Sequence, residues 1–556
     1  MTMFSAKLRQ QRIDELDLYQ FDLAVIGGGI TGAGIALDAI SRGLSVVLID
    51  KEDFASGTSS RSTKLIHGGL RYLKQFEVKM VRDVGREREV VYENAVHVTE
   101  PQWMLLPFHK GGTFGPFTTS IGLRAYDYLA GVKKGERRKM LSAAEALAKE
   151  PLLKNEGLQG GGYYVEYRTD DARLTLEILK KAAEMGALCL NYVRAVDFLY
   201  DNGKVSGVEA VCSVTGKKIA ISAKKVVNAA GPWVDELRDI DSAAADKQIR
   251  LTKGVHIVVE RKIFPLRQPV YFDAPDGRMI FAIPRDDKAY IGTTDTFYDG
   301  DPADAAAAEE DVTYLLKAVT HMFPTIKLGY SDVESTWAGV RPLVYEEGKN
   351  PSEISRKDEV WESENGLISI AGGKLTGYRK MAEAIVDRVT KSLEKNGSKK
   401  YGRSVTRKLP LSGGDFGGSQ KFPRFVHSMA LQSEQFGLSP EEGRMFAQFY
   451  GTNAGKVFEQ YWIRSAEPHS DGLPDVLAAV VAYAIEDEMA MTPSDFFIRR
   501  TGDLYFHIAD VIRYKEQVLD YMAKHLNYSA EQKERFRQDL LDEIDKATRF
   551  GRGVLQ

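Results

Sequence analysis

Residues 21–50 read FDLAVIGGGITGAGIALDAISRGLSVVLID, and the fold turns on how this stretch is parsed. Leu23 to Ile26 is a short apolar run, suited to a strand buried in a parallel sheet. Gly27 to Gly32 then follows as G-x-G-x-x-G, with a helix expected to about Arg42 and a second strand from Leu44 to Ile49. Each glycine has a separate task. Gly27 permits the tight turn, Gly29 lets the backbone approach a pyrophosphate, and Gly32 lets helix and strand pack closely. The helix N-terminus presents free N–H groups to phosphate oxygens. Asp50, eighteen residues past Gly32, stands where a carboxylate holds a ribose hydroxyl. The motif alone is weak, but strand, turn, helix, strand and acid in that order make a dinucleotide site. A parallel-sheet turn that binds nothing is the other reading.

At 556 residues the chain is long enough for two or three domains. Its formal net charge of -3 gives no broad basic field, so nucleic acid is not an expected partner. The two cysteines, Cys189 and Cys212, lie in strand-like segments without metal-ligand spacing, which points to reduced thiols and no metal site. No run approaches the length of a membrane span, and the first twenty residues lack the apolar centre of a signal peptide. A cytoplasmic protein is expected. Those first residues read either as a packed lead-in helix or as a small amphipathic one.

Ser56 to Ser62, which includes Ser59 and Ser60, is small and hydroxylated, fit to donate to phosphate. Beyond Lys64 comes His67-Gly68-Gly69-Leu70-Arg71-Tyr72, where a cation and a phenol follow two glycines. Together with the opening block, SSRSTKLIHGGLRYL resembles the FAD-dependent, quinone-linked glycerol-3-phosphate dehydrogenases, within the D-amino-acid-oxidase-like flavoproteins. The resemblance runs from Phe21 to about Thr501. It implies an α/β fold with a Rossmann-like FAD-binding domain, an inserted mixed or antiparallel substrate domain, and a C-terminal helical domain. The boundaries it suggests are 18–105, 155–240 and 336–400 for the first, 106–154 and 241–335 for the second, and 405–556 for the third.

Further elements match the same family. Lys253-Gly254-Val255-His256 looks like its K-G-x-H element, although a histidine in an apolar strand is commonly structural. Gly292-Thr293-Thr294-Asp295 matches too, with Thr294 placed to orient substrate or flavin, or else to close a turn. Gly231, after a buried strand, is either a cofactor contact or a strand-ending turn. Arg341, in WAGVRPL, and Lys374, in AGGKLT, repeat the pairing of glycine and cation. Gly372, Gly373 and Thr376 form an anion-friendly corner at a helix start. Arg356 is a further pocket cation or a surface charge.

The resemblance implies oxidation of sn-glycerol 3-phosphate to dihydroxyacetone phosphate, with hydride leaving C2 for flavin N5. Arg71, Tyr72, Thr294 and Arg356 are then expected on the substrate. His256 is expected as base, with Arg341 and Lys374 beside the reacting centre. Gly27, Gly29, Gly32, Asp50, Ser59, Ser60, Lys64, Gly231, Gly372, Gly373 and Thr376 are expected on FAD. Residues 101–139 are aromatic and glycine-rich and end in the cationic run KKGERRK. They suit either an anionic membrane surface or packing under the substrate domain. The family implies the first, on the inner face of the cell membrane, with a quinone acceptor, and is compatible with a homodimer. Rivals are an oxidase that uses oxygen and releases peroxide, an amino-acid oxidase, and a non-catalytic nucleotide-binding or membrane-docking protein.

Overall fold

Leu23–Ile26 is buried at all four positions because sheet neighbours and helices cover both of its faces. It pairs in parallel with Val46–Ile49 on one side and Val226–Asn228 on the other. Leu188–Leu190 extends the sheet beyond Val46–Ile49, and Ile368–Ala371 extends it at the other end, where Glu359–Glu362 closes the edge antiparallel. Six strands from widely separated segments thus make one doubly covered sheet. The structure is a computed structural model and describes residues 4–67, 78–129, 132, 134–241, 248–344, 358–397, 399–466 and 472–550.

Helices Ile30–Ser41, Asp171–Glu184 and Tyr378–Lys395 share this sheet's core. The second begins where Asp170 accepts from the Arg173 N–H at 3.0 Å and ends before Gly186, whose φ of 101° reverses the chain. The N-terminal residues form a packed lead-in helix, Ala6–Asp14, with Arg9 and Ile13 buried. Both cysteines are buried and free.

A four-strand meander is expected over 187–223, but its first member belongs to the parallel sheet. Leu188–Leu190 lacks alternation, and Tyr192, at φ 53°, turns the chain away after it. Val193–Asp201, Lys204–Cys212 and Lys218–Ala223 make the antiparallel remainder, with Gln20–Phe21 beside the last. Asp301-Pro302 and the alanine-rich, acidic residues after it suggest a helix running to Phe323, but the helix is shorter. Asp301 caps only the turn Pro302–Asp304, and the Asp311 carboxylate, accepting from Ala308 N–H at 3.0 Å, starts the true helix, Glu309–Met322.

The third sheet has ten strands and supplies the far side of the site. Ile249–Glu260 pairs antiparallel with Val333–Val344 along its length, placing Gly254 opposite Gly339 and His256 opposite Trp337. Thr99–His109 and Leu158–Thr169 form a long hairpin in this sheet, so the boundaries suggested at 105 and 155 cut through or beside continuous strands. Val333–Val344 likewise crosses the boundary at 336.

From Phe422 onward the chain is helical, with a local core around Phe446, Phe458 and Tyr483. It is more than an appendage. Tyr505 and Phe506 pack on Trp337, and Arg173 and Lys180 are buried in ion pairs with Glu177 and Glu488. No helix among the described residues is long and apolar enough to cross a membrane.

Candidate active site

The glycine turn is tight in the literal sense. Gly27 has φ 110° and donates its N–H to Ile49 O at 2.8 Å. A Cβ on Gly32 would lie 1.8 Å from Gly27 O, so the helix begins in van der Waals contact with the turn. Ile30 N–H donates to Ser59 Oγ at 2.9 Å. Ser59 therefore holds the helix start from the cavity side, and its own hydroxyl proton remains for a phosphate oxygen. Ser60 and Lys64 stand elsewhere. Both are buried off the cavity wall, and Lys64 Nζ donates to Ser60 O at 3.0 Å and pairs with Asp171 at 2.5 Å. The expectation that Lys64 and Ser60 contact FAD is corrected: neither faces the cavity, and a buried carboxylate has already taken the lysine's charge.

Asp50 accepts from Gly28 N–H at 2.6 Å and Glu52 N–H at 2.9 Å. Burial pushes its carboxyl up to about 7, with those two amides pulling the other way. A ribose hydroxyl donating to it favours the ionised form, so ligand binding expels the proton. FAD should bind the FAD-free protein more tightly at pH 8 than at pH 6, and Asp50→Asn should abolish the difference. Fluorescence titration with FAD at the two pH values measures this; equal pH dependence in parent and variant would refute it.

One cavity of roughly 440 Å3 runs from this turn to the large sheet. Gly27, Gly29 and Asp50 line it, as do Gly231, Gly372, Gly373 and Thr376. Gly231, Gly372 and Gly373 have φ of 57°, 78° and 81°, a left-handed region that side chains disfavour. Thr376 Oγ1 meets both the N–H and the carbonyl of His67, at 3.2 and 3.3 Å, and so fixes that histidine on the wall.

Arg341 and Lys374 line the same cavity with Thr293 and Asp295. The Arg341 guanidinium donates to Thr293 Oγ1 at 3.0 Å and Asp295 Oδ1 at 3.3 Å. It lies across Gly254, where a Cβ would come within 2.2 Å of Nη2. Thr294 points the other way, accepting from Val255 N–H at 3.0 Å inside the sheet, so its two neighbours line the cavity where it was expected. Arg71, Tyr72 and Arg356 lie outside the described residues.

His256 is displaced from its expected place. It is buried off the wall, stacked on Trp337 at 4.7 Å between ring centres, with Nε2 3.0 Å from Thr63 Oγ1. Gly292 makes room for it, since a Cβ there would lie 2.1 Å from the ring. Burial, then the Arg341 and Lys64 charges, hold its imidazole well below the usual range, so it is neutral. Thr63 does line the cavity. Among the described residues, the wall histidine is His67. Its sequence signal was its place in SSRSTKLIHGGLRYL, directly before two glycines, and the Thr376 contact turns that into an orientation.

Residues 22–379 match the family model for FAD dependent oxidoreductases. The chain belongs to that family. Residues 404–533 match the C-terminal domain of alpha-glycerophosphate oxidase. The aerobic glycerol-3-phosphate dehydrogenases of Staphylococcus epidermidis and Staphylococcus aureus are 56% and 55% identical over 530 residues, 95% of this chain and of each relative. The crystal structure of the glycerol-3-phosphate dehydrogenase from Bacillus halodurans complexed with FAD is 48% identical, with a TM-score of 0.86, covering 98% of this chain and 99% of that one. The residues on the wall fit the family's cofactor. Gly27 and Gly32 leave space only for backbone, the Asp50 carboxylate lines the cavity beside them, and three left-handed glycines lie on its wall.

Proposed function

We propose that this protein oxidises sn-glycerol 3-phosphate to dihydroxyacetone phosphate and delivers the electrons to a quinone at an anionic membrane surface. FAD, when bound, supplies a two-electron acceptor for the hydride leaving C2. The chain's own residues do the rest. Arg341 and Lys374 supply positive charge on the cavity wall, as a phosphomonoester requires. Thr293 and Asp295 orient the Arg341 fork. A ring nitrogen of His67 takes the proton of the 2-hydroxyl as the carbonyl forms. Neutral His256 positions Thr63 from behind. The observation that carries the reading is that these cations and His67 share one cavity with the glycine turn. The 95% coverage by curated glycerol-3-phosphate dehydrogenases names the substrate.

The surface reading rests on Pro116–Leu129, where Phe117 and Ile121, one helical turn apart, are 77% and 57% exposed. Arg138 Nε donates to Ser120 O at 3.2 Å, which ties the cationic run to this helix, and Arg137 and Lys139 on that run are exposed. Apolar anchors rimmed by cations suit an anionic bilayer. Sn-glycerol 3-phosphate should bleach the yellow protein without air, and anionic vesicles carrying a menaquinone analogue should restore the colour. Phe117→Asp with Ile121→Asp should slow that restoration about tenfold or more and leave the bleaching unchanged. Rapid peroxide formation in air, indifferent to vesicles, would favour the oxidase reading; an unaffected double variant would remove this face from the membrane.

A further inference from the structure

The loop that follows Asp50 forms the back wall of the glycine turn. Ala55 N–H donates to Gly28 O at 3.1 Å, and Phe54 lies so close under Gly28 that a Cβ there would be 2.6 Å from its ring. Asp50, Lys51, Ser56 and Gly57 face the cavity. Asp53 faces away from it and is fully buried. Its carboxylate is saturated from two remote parts of the chain. Arg499 Nε at 2.5 Å and Arg500 Nη1 at 2.7 Å donate to Oδ2, while Arg500 Nη2 and Asn191 Nδ2, both at 2.9 Å, donate to Oδ1. Asn191 is held in turn by Arg9 of the lead-in helix, whose Nε donates to its carbonyl at 2.9 Å. It also directly follows Leu190, whose carbonyl accepts from Asp50 N–H at 3.0 Å.

Arg499 and Arg500 belong to the π-helical turn Asp495–Arg500 in the C-terminal region. Arg500 Nε donates to Glu488 O, and Arg499 also pairs with Asp495, so neither guanidinium is free to follow a moving loop. Buried ion pairs contribute little net stability over apolar packing, yet removing one partner leaves an uncompensated charge. Their geometric effect here is specific. They fix, from outside the nucleotide-binding sheet, the one loop that carries both Asp50 and the cavity residues 56 and 57.

We propose that Asp53 is a positioning residue for FAD, through which the C-terminal helical region and the lead-in helix set the shape of residues 50–57 and hence the affinity for the cofactor. This rests on FAD occupying the cavity and is independent of the substrate and the electron acceptor. Relieved of either arginine, the loop relaxes from behind, Asp50 loses its register with the ribose, and the cost falls on cofactor binding. Substrate binding, at Arg341 and Lys374, is spared.

The test is FAD titration of the FAD-stripped full-length protein, with Asp53→Asn, Arg499→Lys and Arg500→Lys. In folded variants the dissociation constant for FAD should rise about tenfold or more, well below the unfolding temperature. The glycerol 3-phosphate dependence of bleaching, measured at saturating FAD, should stay within about twofold. A lowered melting temperature with FAD affinity unchanged would overturn the proposal and leave these contacts structural. Affinities for FAD and substrate that fall together would overturn it as well. So would loss of fold in all three variants, since that makes the carboxylate a folding element instead.

Discussion

Gly32→Ala should yield a folded protein without flavin. The added methyl would sit 1.8 Å from Gly27 O, a separation no real carbon–oxygen contact tolerates. Gly27 has nowhere to retreat. Its amide is bonded to Ile49 O, and its own Cβ direction ends 2.5 Å from Ala229 O. The helix start must therefore move away from the turn, taking the amides after Gly29 out of reach of phosphate. Overpacking of this kind costs roughly 1–3 kcal/mol of stability, which a chain of this size survives. The same displacement, falling on a charge-assisted cradle, should lower FAD occupancy of the purified protein to about a tenth or less. Flavin absorbance per mole of protein measures it. Gly122→Ala is the control: it lies in helix Pro116–Leu129 with nothing within 4 Å of its Cβ direction, and should keep full flavin. Flavin content at the parent level in Gly32→Ala would show that the turn is not where the cofactor is held.

The nucleotide half of this site was legible because its logic is local. A glycine that must accept φ 110° and an acid at the end of the next strand each announce themselves within thirty residues. The substrate half was legible in composition but not in direction. Thr293, Thr294 and Asp295 are adjacent, and which of them faces the cavity depends on how Lys288–Gly292 leaves the sheet. Lys64 read as a contact of FAD until its partner, Asp171, arrived from another segment. The two histidines show the same limit. His256 stood in a recognisable element and proved to be one layer too deep, whereas His67 stood in another, HGGLRY, whose arginine and tyrosine drew the functional reading. Arg499 and Arg500 lie at the end of the stretch that resembles the family, yet nothing in a run of helical residues says that two guanidiniums will meet Asp53. Long-range pairing of charges is set by packing, and packing is what one-dimensional pattern leaves out.

His67→Asn should slow the anaerobic bleaching of the flavin by glycerol 3-phosphate by roughly 100- to 10,000-fold, the range a positioned general base contributes. Asparagine keeps polarity and approximate size but cannot take up the alcohol proton. The Thr376 contacts to residue 67 use its backbone, so they persist in the variant. Flavin content and substrate affinity should accordingly change by less than about tenfold. The pH profile separates a base from a mere packing residue. In the parent protein the rate should climb with pH as the base loses its proton, and in His67→Asn that climb should vanish. His256→Ala supplies the contrast. That imidazole is already neutral and reaches the cavity only through Thr63 Oγ1, so its loss should cost about tenfold by loosening Thr63, with the pH climb retained. The opposite pattern, a mild His67→Asn and a His256→Ala slowed several hundredfold with a flat profile, would route the proton through Thr63 to His256. The wall position of His67 would then be a matter of shape alone.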